Sequence, residues 1–338
     1  MFAKTLYPLQ FEPLFKSAIW GGNRLRPLLG ASPTSETTGE AWLLSDQGNS
    51  LTFISNGHLA GKSLRDLMEH DPLAILGYRP LHDSRFPLLL KIIDALQPLS
   101  VQVHPNDEQA QQLALEKGEP TTDLGKTEAW VVLDSQPDSS IFAGLKPGVS
   151  SQSMLSALQT NQVAELIHSY PPKKGDCIFL EAGTIHAIGA GLMLFEVQQT
   201  SDITFRLYDW GRVDQKTGKP RQLHIQESLR CTDFHRGPCS PIQPQLERNG
   251  SFRYERLVKC NYFHLHRWLS RVPFTVGKRG ECRIAVCIDG MAQLKWNEME
   301  MPLKLGDAVL LPALIDPAEI IPEGQTTVLE ITIPHPLH

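Results

Sequence analysis

Apolar stretches in this chain stay short, because 25 glycines and 25 prolines are spread along its 338 residues and interrupt most runs early. Glycine supplies the positive φ of tight turns and proline removes a donor from a helix interior, so this punctuation disfavours long helices and suits many short strands joined by turns. The expected class is therefore mainly β. Helical periodicity is convincing only over 63–70, 109–115 and 151–166, each preceded or opened by a polar or small residue. Strands are expected over 86–93, 100–104, 128–133, 177–180, 192–199 and 203–207, separated by the turn residues that a meander or jelly roll requires.

A weak internal repeat points to a duplicated barrel. Gly175-Asp-Cys-Ile-Phe-Leu-Glu-Ala-Gly-Thr-Ile-His186 aligns with Gly306-Asp-Ala-Val-Leu-Leu-Pro-Ala-Leu-Ile-Asp-Pro317, and each copy leads from a Gly-Asp turn into an apolar strand. Pro317 stands where the first copy has His186, so only the first can supply a ligand there. The Pro-rich polar stretch 236–245 reads as a linker, giving an expected metal-bearing domain over 1–235 and a second, ligand-free domain over 245–338. The formal net charge of −5 argues against a phosphate-backbone partner, so no nucleic acid is expected. Residues 1–8 lack an apolar leader core and no apolar run reaches the roughly 20 residues that span a bilayer. A cytoplasmic protein with no membrane contact, monomeric or a weak homodimer, is the expectation. The six cysteines form no C-x-x-C pair and are read as reduced and mostly structural.

Within Leu99-Ser-Val-Gln-Val-His-Pro-Asn-Asp107, period-two alternation sends Gln102 and His104 to one face with Ser100, and Val101 and Val103 to the other. A buried polar face is costly unless its groups are paired or bound to something, so this row suggests a site; the plain alternative is a solvent-facing strand. Glu128 opens a second apolar strand and His186 follows a Gly-Thr turn, both at strand entrances where barrel mouths collect ligands. Two imidazoles, a carboxylate and an amide oxygen suit one Zn²⁺ with an open position, and Fe²⁺, Mn²⁺ or Co²⁺ would also accept them.

These residues and their surroundings resemble the type I mannose-6-phosphate isomerases of the cupin superfamily. The resemblance rests on Trp20-Gly-Gly, Gly39-Glu-Ala-Trp42, Leu89-Leu-Lys91, the 99–107 block, Gly125-Lys-Thr-Glu-Ala-Trp130, Ala182-Gly-Thr-Ile-His-Ala187 and the block from Glu196 to Arg212. It covers roughly the first two-thirds of the chain, and the last third looks like the family's degenerate second cupin. The resemblance implies two double-stranded β-helix barrels, zinc held by Gln102, His104, Glu128 and His186, and interconversion of mannose 6-phosphate and fructose 6-phosphate through a cis-enediol. The chain is similar to the family's short bacterial form. Longer members read His-Lys-Pro-Glu where this chain has Gly125-Lys-Thr-Glu128, so a mechanism needing an imidazole at position 125 cannot operate here.

Aldose–ketose isomerisation needs a base, a proton path, stabilisation of a developing oxyanion and a phosphate anchor. Ser100, Lys126 and Lys91 are the candidate anchors. Lys91 lies in the otherwise apolar Leu88-Leu-Leu-Lys-Ile-Ile and is expected to be paired inside rather than snorkelling. The resemblance marks Arg206 as a catalytic-site cation, for enediolate or phosphate; the alternative is a salt bridge to Asp202 or Glu196. Asp202 and Glu196 each qualify as the base or as the orienter of Arg206, and the sequence does not choose. Trp20, Glu40 and Trp42 are expected in the pocket wall, with core packing as the alternative for both tryptophans. Two other functions use the same ligands: an Fe²⁺-dependent cupin dioxygenase and a sugar-phosphate-binding protein without turnover.

Overall fold

The computed structural model describes residues 6–80, 84–118, 124–213 and 218–335. Part of the leader reading, residues 1–5, lies outside them. The fold is mainly β, with antiparallel strands arranged as two barrels. The first barrel sets a six-stranded sheet against a five-stranded one. In spatial order the six-stranded sheet runs Cys177–Leu180, Glu128–Ser135, Leu192–Gln199, Leu88–Ala95, Glu40–Leu44, Leu14–Lys16; the other runs Ile167–Tyr170, Ile141–Leu145, His186–Ile188, Val101–Val103, Phe205–Tyr208. Leu88–Ala95 and Leu192–Gln199 are buried at every position, as central strands covered on both faces must be. The second barrel repeats this plan with a seven-stranded sheet, Leu9–Gln10, Ala308–Leu311, Arg283–Asp289, Thr326–Thr332, His264–Ser270, Phe252–Lys259, Gln245–Asn249, and a four-stranded one.

The three expected helices form where their caps dictate. Ser63 and Asp66 make a reciprocal capping box on Leu64–His70, Asn106 and Gln109 do the same on Asp107–Lys117, and Ser150 and Ser153 on Ser151–Thr160. The third helix stops earlier than the periodicity suggests. Asn161 takes the left-handed conformation at its end, and Val163–Leu166 continues as a separate 3₁₀ turn.

Two features of domain organisation differ from the local reading. The Leu9–Gln10 strand adds to the edge of the second barrel's sheet, pairing with Val309 and Leu310. The 236–245 stretch, expected as a linker, is laid against the first barrel: Cys239 N–H donates to Ala143 O (3.0 Å) and Ile242 N–H to Cys177 O (2.7 Å). One apolar core accordingly runs through both halves, from Leu9 and Phe11 to Ile331 and Ile333. Among the described residues no helix is long and apolar enough to cross a membrane.

Candidate metal centre

Strand register brings the site together. Across the five-stranded sheet His186 pairs with Gln102, and Gln102 with Arg206, so the three stand in one row. Across the six-stranded sheet the row is Trp130, Glu196, Lys91 and Trp42. Glu128 precedes Trp130 by two residues, the interval that returns a strand to the same face. The turn carrying Lys126 and Glu128 is strapped to the turn after His104: Lys126 N–H donates to Pro105 O (3.0 Å) and Gly125 N–H to Asp107 Oδ1 (2.7 Å). A Cβ on Gly125 would lie 2.4 Å from the carbonyl carbon of Asn106, so this tight approach excludes any side chain there, an imidazole included.

His104, Glu128 and His186 are all buried, with one ligand atom from each lying within 4.8 Å of the others. His104 Nδ1 is 2.8 Å from Ile203 O and His186 Nδ1 is 2.9 Å from Thr184 O. A carbonyl only accepts, so each Nδ1 carries the proton and each Nε2 presents a bare lone pair. Burial, with Lys126 nearby, holds His104 well below the usual histidine range and His186 at about 4, which keeps both rings neutral. The lone pairs face a carboxylate: His186 Nε2 is 3.3 Å from Glu128 Oε1, and His104 Nε2 is 3.7 Å from Glu128 Oε2. His104 Nε2 and Glu128 Oε1 have no hydrogen-bond partner, although both are fully buried. Buried acceptors that face one another repel unless a cation or a proton sits between them, so the donor set fits a divalent metal. Gln102 Nε2 is 3.3 Å from His186 Nε2, and a half-turn of the amide, which changes little in shape, presents Oε1 instead.

Beside this cluster two buried lysines meet three carboxylates. Lys126 Nζ is 2.9 Å from Glu128 Oε2 and 3.6 Å from Glu196; Lys91 Nζ is 3.6 Å from Glu196 and 3.4 Å from Glu40. Burial alone would lower the Lys126 pKa, but Glu128 and Glu196 outweigh it and hold the ammonium above its ordinary range. Burial raises Glu196, against the pull of Lys126. For Glu40, burial is outweighed by Lys91 and by the Trp42 indole N–H, which donates to it (2.6 Å), and its pKa falls. Glu196 Oε2 accepts from Trp130 Nε1 (3.0 Å), while Oε1 is buried without a hydrogen bond.

A cleft of about 380 Å³ opens from the cluster. Among the residues singled out from sequence, Trp20, Glu40, Lys91, Ser100, Gln102, Lys126, Glu196, Asp202 and Arg206 line it, with His104, Glu128 and His186 buried behind. Lys91 is paired inside, as expected. Arg206 makes neither of the salt bridges held open for it: its Nη1 donates to Gln222 O (2.9 Å). Trp42 packs beneath Lys91, whose Nζ lies 5.0 Å from the ring centroid, rather than lining the cleft. Sequence reasoning missed Trp130, which sets Glu196 and meets the His186 ring edge-on (5.3 Å), and Arg221, which lines the cleft from beyond the last motif block. Trp130 was visible as a polar-tipped aromatic two residues from Glu128; Arg221 carried no periodic or spacing signal.

Residues 8–142 match the family model described as phosphomannose isomerase type I, catalytic domain, and residues 254–331 match that of the mannose-6-phosphate isomerase cupin domain. The mannose-6-phosphate isomerase ManA of Bacillus subtilis is 36% identical over 91% of this chain and 94% of its own length. A mannose-6-phosphate isomerase of Streptococcus mutans is 33% identical over 90% and 93%. A crystal structure of a Bacillus subtilis mannose 6-phosphate isomerase superposes with a TM-score of 0.86 at 30% identity, covering 97% of this chain and 100% of that one.

Proposed function

This chain belongs to the type I phosphomannose isomerase family, and on that premise we propose that it interconverts mannose 6-phosphate and fructose 6-phosphate with one zinc ion held by Gln102, His104, Glu128 and His186. The observation that carries the reading is the convergence of two deprotonated Nε2 atoms and an unpartnered Glu128 oxygen in a buried space beside a cationic cleft. The relatives favour neither the dioxygenase nor a protein without turnover. A zinc ion bound there supplies Lewis-acid stabilisation of the oxyanion that develops in aldose–ketose exchange. The donor set accepts other divalent ions, and zinc is our choice for its mixed N/O ligands and open position.

The chain's own groups move the proton and hold the substrate. Glu196 is the base we favour, because its Oε1 makes no hydrogen bond and lies 3.6 Å from both Lys91 and Lys126 at the cleft, while Trp130 fixes Oε2. It takes the proton from C2 of the aldose and returns it to C1 while the O2 hydroxyl proton passes to O1, and the enediol is held cis so that one carboxylate serves both carbons. Lys91 and Lys126 pair with Glu196, Glu40 and Glu128 and offer their remaining N–H groups to sugar oxygens. Arg206 stands one strand from Gln102 as a permanent cation for the enediolate or the far end of the substrate, and Asp202 lines the same wall. Ser100, Trp20 and Glu40 complete the sugar-facing surface. We assign catalysis to residues 1–235 and a packing role to 245–338, in a cytoplasmic protein that is monomeric or weakly dimeric.

The test is a coupled assay for fructose 6-phosphate formation on purified protein as isolated, after chelation and after Zn²⁺ is restored. Loss and recovery of activity support substrate and metal together. An enzyme that stays inactive on mannose 6-phosphate with every divalent ion overturns the substrate assignment.

A further inference from the structure

The cleft has two ends of opposite electrostatic character. At the inner end, two ammonium groups stand against three carboxylates, so the lysines' charge is already met within the protein. At the outer end three guanidinium groups gather around one carboxylate. Asp209 accepts from Arg221 Nε (2.8 Å) and Nη2 (2.5 Å), and from Arg212 Nη2. Arg206 has no ion pair among the described residues, and its buried Nε has no hydrogen bond. Burial and the neighbouring Arg221 and Arg212 depress the Arg206 pKa against the pull of Asp209, as expected where three guanidinium groups share one carboxylate.

Arg206 and Arg221 both line the cleft. Asp209 holds Arg221 through Nε and Nη2, leaving Nη1 without a hydrogen bond among the described residues. That is a guanidinium fixed from behind with donors to spare, the arrangement that recognises a dianionic phosphate. The substrate's reacting C1 and C2 belong beside Glu196 and its phosphate sits on C6, so the phosphate must lie away from the carboxylate cluster, which would repel it.

We infer that Arg221, positioned by Asp209, binds the substrate's 6-phosphate together with Arg206 at the outer end of the cleft. This rests on the isomerase reading above and moves the main anchor outward from Ser100, Lys91 and Lys126. Those three contact the sugar, and the unmatched positive charge lies with the arginines.

The test compares the zinc-loaded chain with Arg221→Met and Arg221→Lys. A charged hydrogen bond of ordinary strength corresponds to about a 10- to 100-fold effect. Arg221→Met should raise KM for mannose 6-phosphate by about that factor, with the loss concentrated in KM, and Arg221→Lys should recover part of it because charge returns without the fork. Calorimetric titration with inorganic phosphate, which needs neither turnover nor metal, should show affinity falling in the same order. Unchanged KM and unchanged phosphate affinity in Arg221→Met would overturn the inference. If the unsubstituted chain does not isomerise mannose 6-phosphate, the isomerase reading fails; the phosphate titration then still decides for or against an anion subsite at Arg221.

Discussion

The two barrels are built on one plan and differ in what neutralises their buried charge. In the first, Gly175 N–H donates to Val132 O, Val132 N–H to Asp176 O and Lys173 N–H to Asp176 Oδ2; in the second, Gly306, Cys287, Asp307 and Lys304 make the same three bonds. Both glycines hold φ near +90°, at +88° and +93°, a conformation other residues rarely adopt. With the turns superposed, Arg283 takes the place of Glu128 and Pro317 that of His186, while the row Trp130, Glu196, Lys91, Trp42 becomes Ala285, Glu330, His266, Arg256. Glu330 keeps an indole donor, from Trp268 Nε1 (2.8 Å), and gains the Gly277 amide (3.1 Å). Arg283 Nη1 stands 3.7 Å from it. The second barrel sets a guanidinium near its buried Glu330, whereas the first adds to its two lysines a cluster of imidazole and carboxylate lone pairs.

The sharpest way to break the comparison is to remove a lone pair from the first barrel. His186→Ala should abolish bound metal and isomerase activity together, measured by elemental analysis and the coupled assay, while the second barrel stays folded; retained metal would remove His186 from the ligand set. Arg206→Ala separates the cleft from the metal. Metal content should be unchanged and kcat/KM should fall about 10- to 100-fold, the loss expected when a charged hydrogen bond to the phosphate is removed. Full activity would leave Arg206 with no part in the chemistry.

How much of this was legible in sequence follows the range of the interaction. The Gly-Asp turns, the helix caps and the alternation that puts Gln102 and His104 together are local, and the repeat 175–186 against 306–317 reappears bond for bond. Lys91 was legible because a charge inside an apolar strand has few places to go. Long-range choices were not. Nothing local says that Leu9–Gln10, two residues long, completes the other barrel's sheet, or that Lys126, which its spacing puts on the face of Glu128, also meets Glu196. Arg221 was invisible for the same reason: its meaning comes from Asp209 and Arg206, brought beside it by the fold.

The second barrel can be broken in the complementary way. Arg283→Met breaks the Arg283 pair with Glu281, its nearer carboxylate (2.5 Å), and removes the cation 3.7 Å from Glu330, which keeps its indole and amide donors. Breaking a buried pair by deleting one partner costs about 3–5 kcal/mol, so the variant should lose close to that in a denaturant titration. Metal content and turnover, which belong to the other barrel, should be preserved in the fraction that folds. Arg283→Met combined with Glu330→Gln should restore part of the stability; a double variant as weak as the single one would mean that Arg283 acts through Glu281 or packing rather than through Glu330.

The smallest expected effect is a pH dependence that the two barrels do not share. His266 stands in the row position of Lys91, but burial holds its pKa at about 4, against 6.5 for a free imidazole, with Glu330 opposing and Arg283, His264 and Arg256 assisting. Its Nδ1 is buried without a partner and its Nε2 is 3.7 Å from Glu247. The folded state thus resists a proton that the unfolded chain accepts. The stability from keeping His266 neutral is fully present above pH 6.5 and is lost progressively as pH falls from there toward 4. Glu247 at the barrel edge, with solvent close by, screens part of this, and about 1 kcal/mol by pH 5 is a reasonable size. Denaturant titrations of the metal-free chain at pH 7 and pH 5 measure it, with His266→Gln as the reference. The loss between the two pH values should be about 1 kcal/mol smaller in the variant, because glutamine has no proton to exclude. An equal loss in both would mean that His266 is protonated in the folded barrel, its charge carried by Glu330, and that the two barrels then share a cation in this row.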